Sequence, residues 1–350
     1  MNLFETLDWS VWKTLSQEVK TQLISQVFMY FVSPLKKISS VQAVEYTMGG
    51  IKCATFECVI DGEAFVFIPG NKETILGWDS GLQGVPLEAW HDKIENETAA
   101  VQKILTNYQL KTNDDWSIFL NESTSPLRKV AIPPMLVQKI AQPIGTSYVG
   151  TVNLITGEFF GNQEAFSKIE AEFRKSLALP TSFEESLSWQ QPRKIFLENQ
   201  FYAQQSITTD TYRVYQHQAQ TFAQLKQTLN QEVFDLLDED QWEYAVGAGS
   251  RRLFRWGNGL NADAPIQKAV LHESIEHVNM FGLSVAVELD HWELTDSLSL
   301  KLENWKSCGQ TLLDILPQSS YYRSRQSVKQ DEGLMSTQYF YRKTIRIQPE

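Results

Sequence analysis

The 350-residue sequence contains little cysteine, and this scarcity excludes one class of protein. Its three cysteines are too few for the disulfide framework of a small secreted domain. Cys53 and Cys58 lie in a strand-like segment with four residues between them, so their side chains are expected on opposite faces of the strand. Reduced thiols in a cytoplasmic protein are the simplest interpretation of this pattern.

The sequence also lacks the features of membrane and nucleic-acid-binding proteins. It has no run of about 18 apolar residues, and its N-terminus has no basic flank followed by a compact apolar run, as a signal peptide would. The formal net charge of −11 and the isoelectric point near 5.1 argue against binding to nucleic acid or to an anionic membrane. We therefore expect neither partner.

Several short catalytic motifs are missing as well. The sequence contains no Gly-x-Gly-x-x-Gly, no phosphate-binding loop, no Gly-x-Ser-x-Gly and no Cys-x-x-Cys. Nucleotide-dependent chemistry and serine-hydrolase chemistry therefore have no local support.

The most informative stretch is residues 237–258, which read LDEDQWEYAVGAGSRRLFRWGN. Asp238 with Gln241 three residues later forms a capping-box pattern, which predicts the start of a helix. Trp242 begins the apolar face of this helix, and Gly247 predicts its end because glycine accepts the left-handed conformation there.

This stretch resembles the core signature of the formylglycine-generating enzyme (sulfatase-modifying factor) family, through the runs Trp242–Ala245 and Trp256–Asn258. Further segments resemble motifs of that family and follow in the family's order: Phe65–Gly70, Ile132–Lys139, Asn279–Leu283, Trp292–Glu293 and Tyr339–Arg342. Ordered motifs over most of a chain are more specific than any one of them.

The resemblance implies an α+β fold of the irregular formylglycine-generating-enzyme-like type, which is related to C-type lectins, with an added N-terminal helix. It assigns residues 50–347 to this domain and residues 1–49 to an N-terminal amphipathic helix extension. Residues at about 150–210 match no motif of the family, and we predict that they form an insertion. A long insertion usually lies on the surface and often shapes a binding face.

Apolar residues at spacings of three and four predict one amphipathic helix between Asp8 and Phe31. Two interpretations are open for this helix. It docks a partner, including a second copy of the chain in a homo-oligomer, or it packs on its own domain.

The resemblance also implies a chemistry, which the residues present do not support. Formylglycine-generating enzymes bind one copper(I) ion through two cysteines, because soft thiolates select that ion. Those two positions fall on Leu316 and Tyr321, and neither residue can supply a thiolate. The sequence thus predicts a divergent member of the family without copper oxidase chemistry.

The resemblance places a substrate groove along the Tyr-Arg run, and arginine suits carboxylate or phosphate recognition. We therefore expect a peptide, a protein partner or a small anionic ligand. The predicted ligand-binding residues are Tyr321, Tyr322, Arg323, Arg325, Trp256 and Asn258. The alternative is an oxygen- or metal-dependent oxidoreductase that modifies a peptide or metabolite, which needs a cluster such as His272, His277 or His291 with Asp290.

Carboxylates near the Trp-Glu motif are candidates for a metal site. Members of the family often hold a structural calcium in this region, and Asp290, Glu293 and Asp296 could supply its oxygen ligands. The competing interpretation is a charged strand end without a metal.

Overall fold

A computed structural model of the protein describes residues 2–48, 50–85, 99–180, 182, 187–206, 209–257, 278–285, 291–303 and 310–349. Within these residues the fold is a mixture of helices and mainly antiparallel sheets, which confirms the predicted α+β class.

The described α-helices are mostly short. They are α1 (Leu3–Thr6), α2 (Trp9–Trp12), α3 (Gln17–Phe31), α4 (Ala99–Asn107), α5 (Asn113–Glu122), α6 (Gln163–Ser167), α7 (Glu170–Ser176), α8 (Phe222–Gln231), α9 (Glu239–Gly247) and α10 (Thr311–Ile315), and a 3₁₀ helix (Leu316–Gln318) follows the last. Across the described ranges, no helix is both long enough and apolar enough to cross a bilayer.

The described strands are β1 (Ile38–Met48), β2 (Ile51–Ile60), β3 (Glu63–Ile68), β4 (Asn71–Leu76), β5 (Arg128–Ile132), β6 (Met135–Gln138), β7 (Gln142–Pro143), β8 (Thr146–Asn153), β9 (Phe159–Gly161), β10 (Lys194–Leu197), β11 (Phe201–Gln205), β12 (Thr211–His217), β13 (Gln220–Thr221), β14 (Asp235–Leu236), β15 (Trp292–Leu294), β16 (Leu300–Lys301), β17 (Gly333–Leu334), β18 (Tyr339–Tyr341) and β19 (Lys343–Arg346).

These strands form three main sheets. A six-stranded antiparallel sheet has the order β1-β2-β3-β6-β19-β14, and a five-stranded antiparallel sheet has the order β10-β11-β12-β8-β9. A four-stranded sheet has the order β16-β15-β18-β7, with β15 and β18 parallel. Two smaller ladders pair β4 with β5 and β13 with β17.

The six-stranded sheet is covered on both faces, as strand β3 shows. Phe65 and Phe67 belong to one apolar core, Val66 and Ile68 belong to another, and all four are fully buried. Successive side chains of a strand point to opposite faces, so a continuous apolar run fits a strand buried on both sides.

A tight hairpin follows β2. Asp61 and Gly62 connect β2 to β3, with φ angles of 50° and 86°. Two consecutive residues at positive φ match the right-handed twist of the flanking strands, and an Asp-Gly pair tolerates this conformation well.

The single helix predicted between Asp8 and Phe31 is two helices, α2 and α3. The Asp8 carboxylate accepts from the backbone N–H of Ser10 at 3.0 Å, and the Ser16 hydroxyl accepts from the backbone N–H of Val19 at 3.4 Å. Each side chain caps a new helix start, so the polar residues interrupt the apolar periodicity.

The apolar face of α3 packs against the chain itself. Ile24 and Val27 are buried in the core that also contains Trp12 of α2 and Phe67 of β3. The indole of Trp12 donates to the carbonyl of Ala54 in β2 at 2.9 Å. This packing favours the second of the two interpretations for the N-terminal segment, and an oligomeric role for α3 stays a prediction.

The predicted domain start at residue 50 lies between two paired strands. β1 pairs with β2 from Ile38 opposite Ile60 to Met48 opposite Ile51, with one irregularity between Ser39 and Gln42. Residues 38–48, which the sequence assigned to the N-terminal extension, therefore share a sheet with the strands that follow.

The predicted insertion contains a small α+β unit with its own core. Strands β8 to β12 form the five-stranded sheet, and α6 and α7 cover one of its faces through Phe166 and Phe173. The Phe173 ring contacts Phe166 and also Phe201 and Tyr212 of the sheet, and all four rings are buried. The segment is therefore a packed layer structure rather than a long surface loop.

Helix α9 lies within the core that covers one face of the six-stranded sheet. The predicted capping box is present, since the Asp238 carboxylate accepts from the backbone N–H of Gln241 at 2.8 Å. The helix ends at Gly247, although the residue that takes the left-handed conformation is Ala248, with φ of 51°. Trp242, which begins the predicted apolar face of this helix, is 1% exposed.

Candidate functional site

Helix α9 carries three carboxylates into the protein interior, and three basic residues compensate them. Glu243 is fully buried, while Glu239 and Asp240 keep partial exposure. We name this group the α9 ion cluster: Glu239, Asp240, Glu243, Arg128, Lys301 and Arg323. Buried charges need such partners, because a carboxylate without them would lose its hydration uncompensated.

Lys301 of β16 is the buried centre of the α9 ion cluster. Its ammonium is fully buried and donates to Glu239 at 2.8 Å, to Glu243 at 2.7 Å and to the carbonyl of Tyr322 at 3.1 Å. These three acceptors use all three ammonium protons. Lys301 thus ties α9 to the segment that contains the predicted ligand residues.

Arg128 of β5 closes the cluster from the opposite side. Its guanidinium donates to Glu243 at 3.0 Å and also to Asp240. The Ser125 hydroxyl adds a hydrogen bond to the same Glu243 oxygen at 3.0 Å. Both oxygens of Glu243 are therefore satisfied within the protein, and this carboxylate is not available as a general base or a metal ligand.

Arg323, a predicted ligand residue, has a carboxylate partner in the structure. Its Nε and Nη2 donate to the two oxygens of Glu239, each at 2.7 Å. Burial alone would raise the pKa of Glu239, but hydrogen bonds and charge from Arg323 and Lys301 outweigh it and lower the pKa to about 2. A ligand at Arg323 has to use the Nη1 side of the guanidinium.

Tyr321 and Tyr322, also predicted ligand residues, direct their hydroxyls to protein partners. Tyr321 is 1% exposed and donates to the carbonyl of Ser250 at 2.6 Å, and Tyr322 donates to the carboxylate of Glu303. Burial raises the pKa of both phenols, and the neighbouring Glu243 or Glu303 raises it further. The hydroxyls of both tyrosines are therefore hydrogen-bonded within the protein and are not freely exposed to solvent.

Arg325 is the predicted ligand residue that reaches the surface. Its guanidinium lies 5.0 Å from the ring centre of Tyr108 and 5.7 Å from that of Phe119, and the two rings are 5.1 Å apart. No carboxylate of the described residues pairs with it. We call Arg325, Tyr108 and Phe119 the Arg325 platform. The two aromatic members could not be predicted, because they lie more than 200 residues from Arg325 in the sequence.

Trp256 lies on the loop after α9. Its ring stacks on Phe254 at 5.0 Å, and the guanidinium of Arg255 lies 4.9 Å from it. The loop borders Tyr321, because Ser250 accepts the phenol's hydrogen bond. Trp256 is half-buried and is not one of the two rings that lie against Arg325, and the predicted ligand residue Asn258 lies outside the described residues.

The two positions that the family resemblance assigns to copper ligands do not fit copper. Leu316, in the 3₁₀ helix, is 2% exposed, and Tyr321 is equally buried and hydrogen-bonded. An alkyl group and a protonated phenol offer copper(I) no soft donor.

The predicted calcium ligands Glu293 and Asp296 each pair with a cation. Glu293 is bound by Arg342, with 2.6 Å between Nε and Oε1, and both side chains are buried. Asp296 pairs with Lys226 of α8 at 2.7 Å. The third candidate, Asp290, lies outside the described residues. The described donors thus do not favour calcium, and the site stays a prediction.

Metal-binding groups are not found elsewhere in the part of the chain that the structure covers. Within the described ranges, no three His, Cys, Asp or Glu side chains come together in a way that could hold a metal ion. His291 is buried and stacks on Phe340 at 4.1 Å, while His272 and His277 lie outside the described ranges. The described residues therefore contain no His and Asp cluster of the kind that the alternative oxidoreductase prediction needs.

The apolar surroundings of the two described cysteines make their thiols unreactive. Cys53 and Cys58 lie in different apolar cores, as the alternation of β2 predicts, and both are free thiols. Burial raises the pKa of each thiol to about 12. Because the thiolate is the nucleophile and the metal ligand, neither residue is an activated cysteine.

His217 and Ser336 form a buried pair that superficially resembles a catalytic dyad. His217 Nε2 lies 2.6 Å from the Ser336 hydroxyl, and its Nδ1 accepts from the backbone N–H of Asn199 at 2.9 Å. Since Nδ1 accepts, the neutral imidazole carries its proton on Nε2 and donates to Ser336. It cannot then take the serine proton, so the pair is structural.

His217 predicts a pH dependence of stability. Burial lowers its pKa, and the charge of Glu198 opposes this only in part. Below about pH 6.5 the unfolded chain binds a proton at His217 that the folded protein does not bind. The free energy of unfolding therefore decreases as the pH drops. We expect His217→Gln to flatten this loss. Urea midpoints measured between pH 7.5 and 5.5 for both proteins test it, and equal slopes would contradict the assignment.

Comparison with known families finds one match, which covers residues 147–216. The matching family is described as a profilin-like domain of unknown function. The matched segment is similar to a profilin-like domain. It corresponds to the unit of β8 to β12 with α6 and α7, so we call this the profilin-like unit. No curated protein matches the chain. The match covers a minority of the sequence and none of the predicted ligand residues.

Proposed function

We propose that the protein is a binding module which recognises an acidic segment of a peptide or protein partner at the Arg325 platform. In this proposal it is a divergent relative of the formylglycine-generating enzymes that does not carry out copper oxidase chemistry. The family assignment rests on the ordered sequence motifs. Its loss of chemistry rests on Leu316 and Tyr321, which offer no thiolate.

The observation that carries the proposal is the position of Arg325. Its exposed guanidinium is held over two aromatic rings and has no ion-pair partner in the part of the chain that the structure describes. A guanidinium has a planar fork of donors that matches a carboxylate, and stacking on rings preorganises it. In a chain with a net charge of −11, such a residue is a selective point of contact for an acidic partner.

The surroundings of Arg325 favour a peptide or protein over a small isolated anion. Tyr108 is 42% exposed, and Phe119 of α5 is half-buried. Aromatic residues and arginine are enriched among the anchors of protein interfaces, where apolar contact supplements the charge pair. The half-exposed Arg323 supplies a second guanidinium two positions away in sequence.

Fluorescence anisotropy with a labelled peptide of consecutive glutamates tests the proposal at low ionic strength. We expect this peptide to bind more tightly than the matched glutamine peptide. Arg325→Ala should weaken its binding about tenfold or more, since hydrogen bonds to charged groups contribute roughly 1.5–3 kcal/mol. Arg325→Lys should give an intermediate loss, because it keeps the charge but not the fork.

Arg174→Ala is the matched control, since Arg174 is an exposed arginine of the profilin-like unit that pairs with Glu170 at 2.7 Å. It should leave peptide binding unchanged. Equal affinity for the glutamate and glutamine peptides would overturn the anionic preference. Stoichiometric tight copper(I) binding, with oxygen consumption on cysteine peptides, would overturn the absence of oxidase chemistry.

A further inference from the structure

A second concave site lies where both ends of the described chain meet. An open groove of about 490 Å³ is bordered by helix α1, by the connection from β5 to β6 and by the segment after β19. This volume falls in the range of small-molecule sites, roughly 300–1,000 Å³. None of its lining residues belongs to the α9 ion cluster or to the Arg325 platform.

The walls of this groove are apolar. Phe4, Ile132, Pro134 and Ile347 line it, and Ile132 and Ile347 are otherwise buried. The backbone N–H of Ile347 donates to the carbonyl of Pro134 at 2.9 Å, so the two sides of the groove are tied together. The groove therefore keeps its shape without an occupant.

A nearly buried carboxylate lies in the groove. Asp8 is 7% exposed. Its Oδ1 accepts from the backbone N–H of Ser10 at 3.0 Å and from the Ser10 hydroxyl at 2.5 Å, and its Oδ2 accepts from the backbone N–H of Lys72 at 2.8 Å. These donors carry no formal charge, so the hydrogen bonds do not supply a counter-charge. Glu5 adds an exposed carboxylate to the same lining. Lys72 also lines the groove, and within the described residues no salt bridge joins it to either acid.

Apolar walls, with two carboxylates and one lysine in the lining, favour one chemical class of ligand. We infer that the groove binds a small organic ammonium compound with an apolar body. The apolar body would displace water from Phe4 and Ile132, while the ammonium would donate to Oδ2 of Asp8 and to Glu5. An anionic compound would meet a lining with two carboxylates and one lysine, and a neutral one would form no charge pair there.

Amide NMR titration at low ionic strength tests this inference with three matched probes: 2-phenylethylammonium, 2-phenylethanol and phenylacetate. We expect the ammonium compound to shift the amides of Lys72, Ala131 and Gln348, which line the groove. It should bind about tenfold more tightly than the alcohol, and phenylacetate should not bind there. Added salt should reduce the advantage of the ammonium compound.

Two variants test whether the ammonium compound binds through the carboxylates of the groove. Glu5→Gln and Asp8→Asn should each weaken ammonium binding, whereas Glu18→Gln, an exposed acid in the first turn of α3, should not. Asp8 also caps α2, so the salt dependence of the wild-type protein provides the test if Asp8→Asn unfolds. Equal affinity for the ammonium compound and the alcohol, or shifts outside the groove, would overturn the inference. Arg325→Ala should not change this binding, which separates it from the peptide proposal.

Discussion

Replacement of Glu243 by alanine is expected to lower the free energy of unfolding by about 3–5 kcal/mol. Glu243 and Lys301 are both fully buried, and Lys301 is 2.7 Å from the carboxylate that would be lost. Arg128 loses one of its two carboxylate partners in the same variant. Desolvated cations without their counter-charge account for most of this cost, and the cavity left by the side chain adds to it.

Urea unfolding of Glu243→Ala and Asp240→Ala compares the loss of a buried carboxylate with the loss of a partly exposed one within the α9 ion cluster. Asp240 contacts the same Arg128, but its side chain is 38% exposed, so solvent screens the pair. We expect Asp240→Ala to cost about 0.2–1 kcal/mol, as exposed ion pairs usually do. Similar losses for the two variants would show that burial does not strengthen the network, and the description of the α9 ion cluster would then be wrong.

The local structure of α9 could be predicted from the sequence, because its determinants are close together along the chain. Asp238 and Gln241 are three residues apart, and the Asp61-Gly62 hairpin depends on the φ preferences of the two residues themselves. Such signals depend on neighbouring residues and need no knowledge of the fold.

The partners of the site residues could not be predicted, because distant segments supply them. Lys301 is 58 residues from Glu243, and Arg128 is 115 residues from it. The family resemblance and the chemistry of arginine identified Arg323 and Arg325 as ligand residues, but their surroundings separate their roles. Glu239 engages Arg323, whereas the rings beneath Arg325 leave its guanidinium at the surface.

The predicted metal residues illustrate the same limit. Carboxylates spaced along a short segment suggest oxygen ligands, but the sequence does not show which cation approaches them. Arg342 reaches Glu293 across the pairing of β15 with β18, and it lies 49 residues away in sequence. Here a protein cation pairs with a carboxylate that the resemblance assigns to a bound ion.

Arg342→Ala is expected to destabilise the protein by about 3–5 kcal/mol, because it removes the ion pair and hydrogen bonds that connect separate segments. The buried guanidinium donates to Glu293, to the carbonyl of Lys139 at 2.7 Å, to that of Ser284 at 2.7 Å and to that of Gln138 at 3.1 Å. Its removal leaves Glu293 charged and buried, and these carbonyls lose a donor.

A double-mutant cycle distinguishes the ion pair from simple loss of packing. Arg342→Met keeps much of the side-chain volume but leaves Glu293 unpaired, so it should cost nearly as much as Arg342→Ala. The double variant Glu293→Leu/Arg342→Met removes both charges, and it should recover a measurable part of that loss. Urea unfolding of the singles and the double gives the coupling. Additive losses would contradict a coupled pair, because a buried charge without its partner costs more than an apolar replacement of both.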